Sequence, residues 1–284
     1  MADAVLAVDL GGSVTRVALV QGATVLDRAE RPTDRAAGPG QWVQDMVALA
    51  QPMQGRFSQI GVTVTGLVQG GRWQAMNSGI LDVPPGFDLR HAVQAAFGLA
   101  PVLANDAQAA AYGEWLYGAG LRKDMVFLTI STGVGGGVVA GGRLLTGRSG
   151  MAGHFGQMLS LPDADRQGRF EDNASGLWIA ATAGVADART AFATPQAGAV
   201  IDRSAARVAR LAQNLQLAFD PQHIVIGGGV GLAPGYLSRI AAHLAHLPDL
   251  TRPTLVPAAL GADAGLIGIA ALTLQQTTNT EDET

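Results

Sequence analysis

The sequence predicts an α/β protein made of two similar halves, and three observations carry that expectation. Met125 to Gly142, MVFLTISTGVGGGVVAGG, reads as a β-branched strand, a break at Ser131-Thr132-Gly133, a glycine hairpin continuing through Gly135-Gly136-Gly137, and a strand resuming at Val138-Val139. Ala4 to Gly22, AVLAVDLGGSVTRVALVQG, repeats the pattern around Asp9-Leu10-Gly11-Gly12-Ser13; setting Asp9 on Ser131 sets Gly11 on Gly133, an offset of 122 residues. Ile224 to Val230, IVIGGGV, is a third strand running into glycines. One glycine turn is ordinarily only a turn. Three of them in a duplicated chain point to a nucleotide cleft faced by the two hairpins, because glycine lets backbone N–H groups converge on phosphate oxygens without a Cβ in the way.

In chain order, residues 4 to 30 supply the first hairpin and a third strand from Ala23 to Asp27, and Pro32 to Gly40 is a loop. Trp42, Met46 and Leu49 give Gln41 to Met53 helical spacing, and Ile60 to Val64 is a buried strand ending at Thr65-Gly66. Strand C-termini are where open α/β sheets place ligands, which makes Gly66 a candidate. Ala75 to Pro85 is irregular and carries Asn77. A helix from Leu89 to Phe97 precedes a strand, Val102 to Ala104, that delivers Asn105-Asp106 to an alanine-rich helix from Ala107 to Trp115. Asp106 is the candidate general base, although taken locally an Asp there reads first as the cap of the helix.

Beyond the second hairpin, LLTGRSGMAGHFGQML surrounds His154 and Gln157 with glycines, and a polar stretch follows that holds Glu171. Ser175 is placed to cap a helix running to about Phe192, Ala199 to Phe219 is a second, amphipathic one, and Gly261 to Gln275 is a small-residue helix. His243 and His246 read as a wet helix face.

The bulk numbers exclude more than they assign. The 284 residues hold one large or two medium domains; 48% are apolar, 15% charged, 38 are glycine, and the formal charge is −4, no electrostatic footprint for nucleic acid. The absence of cysteine removes disulfides, thiolate catalysis and Cys-ligated metal sites. No leader-like N-terminus and no uninterrupted apolar run of membrane-spanning length is present, so a cytoplasmic protein without a membrane partner is expected.

The strings Asp9-Leu10-Gly11-Gly12, Asn105-Asp106-Ala107, Ser131 to Gly137 and Gly150-Met151-Ala152-Gly153-His154 resemble those of the ROK family of repressors, open reading frames and kinases, and the resemblance runs from Ala4 to about Ala271. It implies an actin/hexokinase-like (ribonuclease H-like) fold: an N-terminal domain over residues 1–115 completed by a C-terminal helix at about 262–276, a second domain over 116–261, and a disordered tail from 277. It implies a sugar kinase using ATP and magnesium, and an expected homodimer. By the same resemblance Asp9, Gly11, Gly12, Ser13, Thr132, Gly133 and Gly135 lie along the phosphates, with Asp9 toward magnesium. Gly227, Gly228 and Gly229 lie along the adenosine. Asn105, His154 and Glu171 hold the sugar, and Asp106 takes the proton of the attacking hydroxyl; Gly66, Asn77 and Gln157 join them as sugar-site candidates from their own places in the chain.

The departures narrow the expectation. The family commonly has Glu at the position of His154, His at that of Gln157, and then a cysteine-rich zinc loop, of which only Glu171 remains here, so no zinc site is expected. His154, together with Asp124-Met125-Val126-Phe127, Leu144 to Gly147 and Gly231 to Tyr236, is similar to the N-acetylmannosamine kinase branch. The expected reaction is therefore 6-phosphorylation of an N-acylated hexosamine, with a glucose-type hexokinase second. A sugar-responsive repressor would carry a DNA-binding segment ahead of the kinase fold, and only three residues precede the first strand.

Overall fold

The computed structural model describes residues 4–76, 80–159 and 168–282, with side chains through Thr277. Its contacts divide the chain into two units: Met1–Gly113 with Thr146–Met151 and Asp263–Thr284, and Glu114–Leu145 with Ala152–Ala262.

In the first unit the chain runs through β1 (Val5–Leu10), β2 (Val14–Gln21), β3 (Thr24–Pro32), α1 (Pro39–Ala50), β4 (Gln59–Val64), β5 (Leu67–Gln69), β6 (Arg72–Gln74), β7 (Phe87–Asp88), α2 (Leu89–Phe97), β8 (Val102–Asn105) and into α3 (Asp106–Tyr117). The main sheet has the order β3-β2-β1-β4-β8, antiparallel through the first three strands and parallel from β1 to β8; β5, β6 and β7 form a small separate sheet. The strands of the parallel part are apolar on both faces, as expected when helices cover both. Helix α1 buries Trp42 and Met46, one turn apart, and the Trp42 ring lies 5.8 Å from that of Trp73. Helix α2 matches its expected span because both of its ends are written locally: Asp88 Oδ1 accepts from the His91 amide at 2.9 Å, and Gly98 closes it at φ 71°.

The second unit contains β9 (Met125–Ile130), β10 (Val134–Ala140), β11 (Arg143–Leu145), α4 (Glu171–Ala174), α5 (Gly176–Ala183), α6 (Ala188–Phe192), α7 (Gly198–Phe219), β12 (His223–Gly227), α8 (Gly228–Gly231), α9 (Tyr236–Leu244) and β13 (Leu255–Pro257). Its sheet order, β11-β10-β9-β12-β13, repeats that of the first unit, with the same antiparallel and parallel joins. The duplication is real, but the offset differs from that expected. Val5 and Met125, and Val14 and Val134, open equivalent strands 120 residues apart, so Asp9 corresponds to Thr129 rather than Ser131. The core of this unit is the buried face of α7, with Ile201, Ala205, Val208 and Leu215, laid on Val126, Leu128, Ile224 and Ile226.

Three expectations need correction. Gly135, Gly136 and Gly137 are not in the hairpin turn but within β10, paired with Thr129, Leu128 and Phe127. The helix expected from Ser175 to Phe192 is two helices, because Gly184 turns left-handed at φ 68° and Asp187 recaps the chain by accepting from the Thr190 amide at 2.7 Å. The tail expected to be disordered from Thr277 is helical through Asp282. It belongs to α10 (Ala264–Asp282), where the Thr277 hydroxyl donates to the Thr273 carbonyl at 3.2 Å. Helix α10 returns to the first unit and packs so tightly on α3 that a Cβ on Gly268 would stand 1.8 Å from the Ala109 carbonyl oxygen.

Glu114, in α3, is fully buried. Its Oε1 accepts from the amides of Ala259 and Leu260 at 3.0 and 2.7 Å, and its Oε2 from those of Ala259 and Ala119, both at 3.0 Å. One carboxylate therefore satisfies the backbone of two segments more than a hundred residues apart in sequence.

Candidate active site

In the first unit the site begins where β8 ends. Asn105 Oδ1 accepts from the amides of Ala107 at 3.0 Å and Gln108 at 3.2 Å, and Asn105 Nδ2 donates to the Gly66 carbonyl at 3.0 Å. Asn105 thus caps α3, the job that local sequence alone gave to Asp106. One of its two amide protons goes to the Gly66 carbonyl, which ties the end of β8 to the turn after β4. Gly66 is itself a backbone requirement: its φ is 91°, and a Cβ there would lie 2.6 Å from the Gln74 carbonyl oxygen.

Asp106, relieved of the cap, accepts from the Ala107 amide at 2.8 Å. Burial, and secondly the negative charge of Asp9, push its carboxyl up to about 7. An acid at that level is half ionised at neutral pH, as a general base requires. Asp9 sits on β1 in register with Arg16 of β2 and Thr63 of β4, so the two flanking strands present their side chains to it. Arg16 Nη1 lies 3.2 Å from Asp9 Oδ2, and the Thr63 hydroxyl donates to Oδ1 at 3.1 Å. Burial still outweighs both partners and raises the Asp9 carboxyl above its usual range. Gly11, Gly12 and Ser13 form the β1–β2 turn, closed by the Gly11 amide on the Val14 carbonyl at 3.1 Å and strapped by the Thr33 hydroxyl, which donates to the Gly11 carbonyl at 2.8 Å. Asn77 lies outside the described residues.

In the second unit Ser131, Thr132 and Gly133 form the equivalent turn, one residue tighter: Ile130 pairs with Val134, whereas Leu10 pairs with Thr15. The amides of Gly176 and Leu177 at the start of α5 donate to the carbonyls of Ser131 at 2.7 Å and Thr132 at 3.3 Å, holding the turn rigid. Glu171 is brought against it. Glu171 Oε2 accepts from the Val134 amide at 3.4 Å, and a Cβ on Gly133 would lie 2.9 Å from the same oxygen. Glu171 Oε1 accepts from Gln157 Nε2 at 2.9 Å and meets Arg169 Nη1 at 3.2 Å. Asp172 holds that arginine in turn, at 2.8 Å from Nη2, and raises its already high basicity.

The strand glycines have a different purpose from the one expected. A Cβ on Gly136 would meet the Phe155 ring at 2.6 Å, and one on Gly153, at φ 92°, would stand 2.7 Å from the Gly136 carbonyl oxygen. The glycine run in β10 lets the Gly153–Phe155 segment lie directly on the strand, which places half-buried His154 and, one short helical turn later, Gln157. Of the last glycine run, Gly227 faces the Phe127 ring at 2.7 Å and Gly228 the Ile130 carbonyl oxygen at 2.3 Å, both measured from an added Cβ. Only Gly229 has open space where its side chain would be, so it is the member a ligand could approach.

The structure therefore gathers Asp9, Asn105, Asp106 and Gly66 in the first unit, and Thr132, Gly133, Gln157 and Glu171 in the second. Arg16, Thr63 and Arg169 were not anticipated. Arg16 was within reach: a turn over residues 11–14 sets it opposite Asp9.

The ROK family model matches residues 5–276. The chain is 42% identical to a bifunctional enzyme NanE/NanK of Brucella melitensis over 94% of its own length and 53% of that protein, so it spans about half of that relative. It is 40% identical to an N-acetylmannosamine kinase of Shigella boydii, covering 94% of this chain and 97% of that one. Among solved structures it is similar to a ROK family glucokinase from Streptomyces griseus in complex with glucose and AMPPNP, at a TM-score of 0.82 and 25% identity over 96% and 99% of the two chains. The likeness bears out the actin/hexokinase-like α/β fold. No helix among the described residues is long and apolar enough to cross a membrane.

Proposed function

The chain belongs to the ROK family, and from that premise we propose that it transfers the γ-phosphoryl group of ATP to the 6-hydroxyl of N-acetylmannosamine. The observation that carries this reading is Asp106, a carboxyl poised at about 7 directly after a parallel strand and within reach of the charge of a second acid, Asp9. As the hydroxyl oxygen bonds to the γ-phosphorus and the bond to the ADP oxygen breaks, the hydroxyl proton passes to Asp106. Positioning the donor and neutralising its charge account for most of such a reaction, and we assign the first to the amides of the Gly11–Ser13 and Ser131–Gly133 turns. Glu171, fixed by Gln157 and Arg169, is assigned to a sugar hydroxyl.

Magnesium fits the first unit. Asp9 is a hard oxygen donor whose ionisation is opposed by burial, and a divalent cation would favour its ionised form. Bound with ATP, it would supply the positive charge that the polyphosphate requires. Transfer is expected to stop on chelation and return with magnesium, while metal analysis of the purified protein finds no bound zinc; one tightly held zinc per chain would contradict the zinc-free reading.

Specificity is assigned to His154. A neutral imidazole has one donor and one acceptor, where a carboxylate only accepts. Its N–H can meet the acetamido carbonyl, a group that glucose lacks, and a buried polar group left unpaired costs about 1–3 kcal/mol. N-acetylmannosamine is therefore expected to exceed glucose in kcat/KM by roughly 10- to 100-fold, and His154→Glu to shift the preference toward glucose. Glucose equal to or better than N-acetylmannosamine in a coupled assay would replace this substrate with the glucose-type alternative.

A further inference from the structure

We propose that Arg35 is an anion-binding residue of the phosphate site, with the polyphosphate of the nucleotide as its ligand; this rests on the kinase reading. Arg35 lies in the loop after β3, outside every residue assigned above. Its Nε donates to the Gly12 carbonyl at 2.6 Å, and Nη2 reaches the Ser13 hydroxyl at 3.4 Å. The guanidinium therefore lies on the glycine turn whose amides are the candidate phosphate donors.

Two features separate this from a simple latch. The turn is already strapped without Arg35: the Thr33 hydroxyl donates to the Gly11 carbonyl, the Thr33 amide donates to the Ser13 carbonyl at 3.0 Å, and the Thr15 and Thr33 hydroxyls share a hydrogen bond of 2.9 Å. The charges are also unequally spent. In the same unit Arg16, Arg28, Arg31 and Arg56 each meet a carboxylate, and Arg16 divides itself between Asp9 and Glu30. Among the described residues no salt bridge joins Arg35 to an acid, and its side chain is exposed. A guanidinium has five N–H donors, and the two contacts on the turn leave three that the turn does not use. Such a fork takes phosphate, as it takes carboxylate, through paired charge-assisted hydrogen bonds. The first unit sets two acids at the reacting end, so a polyphosphate that is still anionic with magnesium bound gains from a further cation at this turn that is not already committed.

The test uses the whole protein and three variants, Arg35→Ala, Arg35→Gln and Arg35→Lys, each checked for an unchanged melting temperature. Arg35→Ala is expected to lower kcat/KM for ATP by about 10- to 100-fold, the range of a charge-assisted hydrogen bond, with the KM for sugar little altered. Arg35→Gln should follow it and Arg35→Lys should keep part of the activity. Free guanidinium ion should restore part of the loss in Arg35→Ala and do nothing for the parent. Direct titration should show ATP and ADP weakened and AMP hardly affected. An Arg35→Ala enzyme within twofold of an active parent overturns the inference alone, and so does equal weakening of AMP and ATP, which would make Arg35 a structural latch. A parent that moves phosphate from ATP to no sugar overturns the kinase reading, and this inference with it.

Discussion

Asp106→Asn is expected to give a folded protein that transfers phosphate on the order of 10²–10⁴-fold more slowly than its parent, the usual contribution of a positioned general base. Asparagine is the informative replacement. It keeps an oxygen where Asp106 Oδ1 accepts from the Ala107 amide, and it leaves the Asn105 cap untouched, so the start of α3 should survive. In the parent, kcat/KM should fall about tenfold per pH unit below about pH 7, because only the ionised carboxylate can take the proton. That acidic limb should disappear in Asp106→Asn.

The same carboxyl makes a stability prediction of definite sign. Its level in the folded protein, about 7, lies above the ordinary 3.8, so between those values the folded state holds a proton that the unfolded chain has released. The stability linked to that proton is complete below about pH 4 and is lost as the pH rises to about 7. Asp106→Asn carries no such dependence. It should match the parent near pH 4 and exceed it above pH 7 by up to about 4 kcal/mol, a rise of several degrees in Tm. Asp9, raised by burial as well, adds to the parent's slope in the same direction. A folded Asp106→Asn protein that turned over within a few-fold of the parent would remove Asp106 from the mechanism.

Glu114→Ala is expected to cost about 3–5 kcal/mol, enough to lower Tm by roughly 10 °C or more. The substitution strips the acceptors from the amides of Ala119, Ala259 and Leu260 at a fully buried position. An orphaned buried amide costs about 1–3 kcal/mol, and three of them share this one partner. Glu114→Gln should recover only part of the loss, since its NH₂ group turns a donor toward N–H groups that need acceptors. Thermal unfolding of the three proteins decides this, and a Tm within two or three degrees of the parent for Glu114→Ala would mean that water reaches these amides.

Neither residue announced its situation locally. Asp106 was found as a site because a strand delivers it to a helix start, and that position alone could not divide base from cap. The division came from Asn105, whose side chain takes both amides, and from Asp9, which lies on β1 with β4 between it and β8 and whose charge still raises the Asp106 carboxyl. Glu114 reads as one polar residue in an alanine-rich helix, and its partners around Ala259 are remote in sequence. The offset between the halves missed by two residues because both turns contain Gly and Ser, which composition aligns equally well; the spans of the first strands, β1 and β9, not turn composition, set it at 120. The helix from Ser175 failed at Gly184, where a left-handed glycine ended it and Asp187 began another.

What the sequence determined by itself was whatever short-range physics writes within a few residues: β-branched runs as strands, the amphipathic spacing of α7, the capped ends of α2, the duplicated strand–turn–strand units, and the set of polar residues at strand ends. What only the tertiary structure decided was which acceptor each donor reaches and how near two backbones lie. The glycines of β10 are there so that the His154 segment can rest on the strand, and Glu171 is held by Gln157 and Arg169. These are long-range matters because a buried polar group must be satisfied by whatever neighbour packing brings to it, and packing is fixed by the whole fold rather than by adjacent residues.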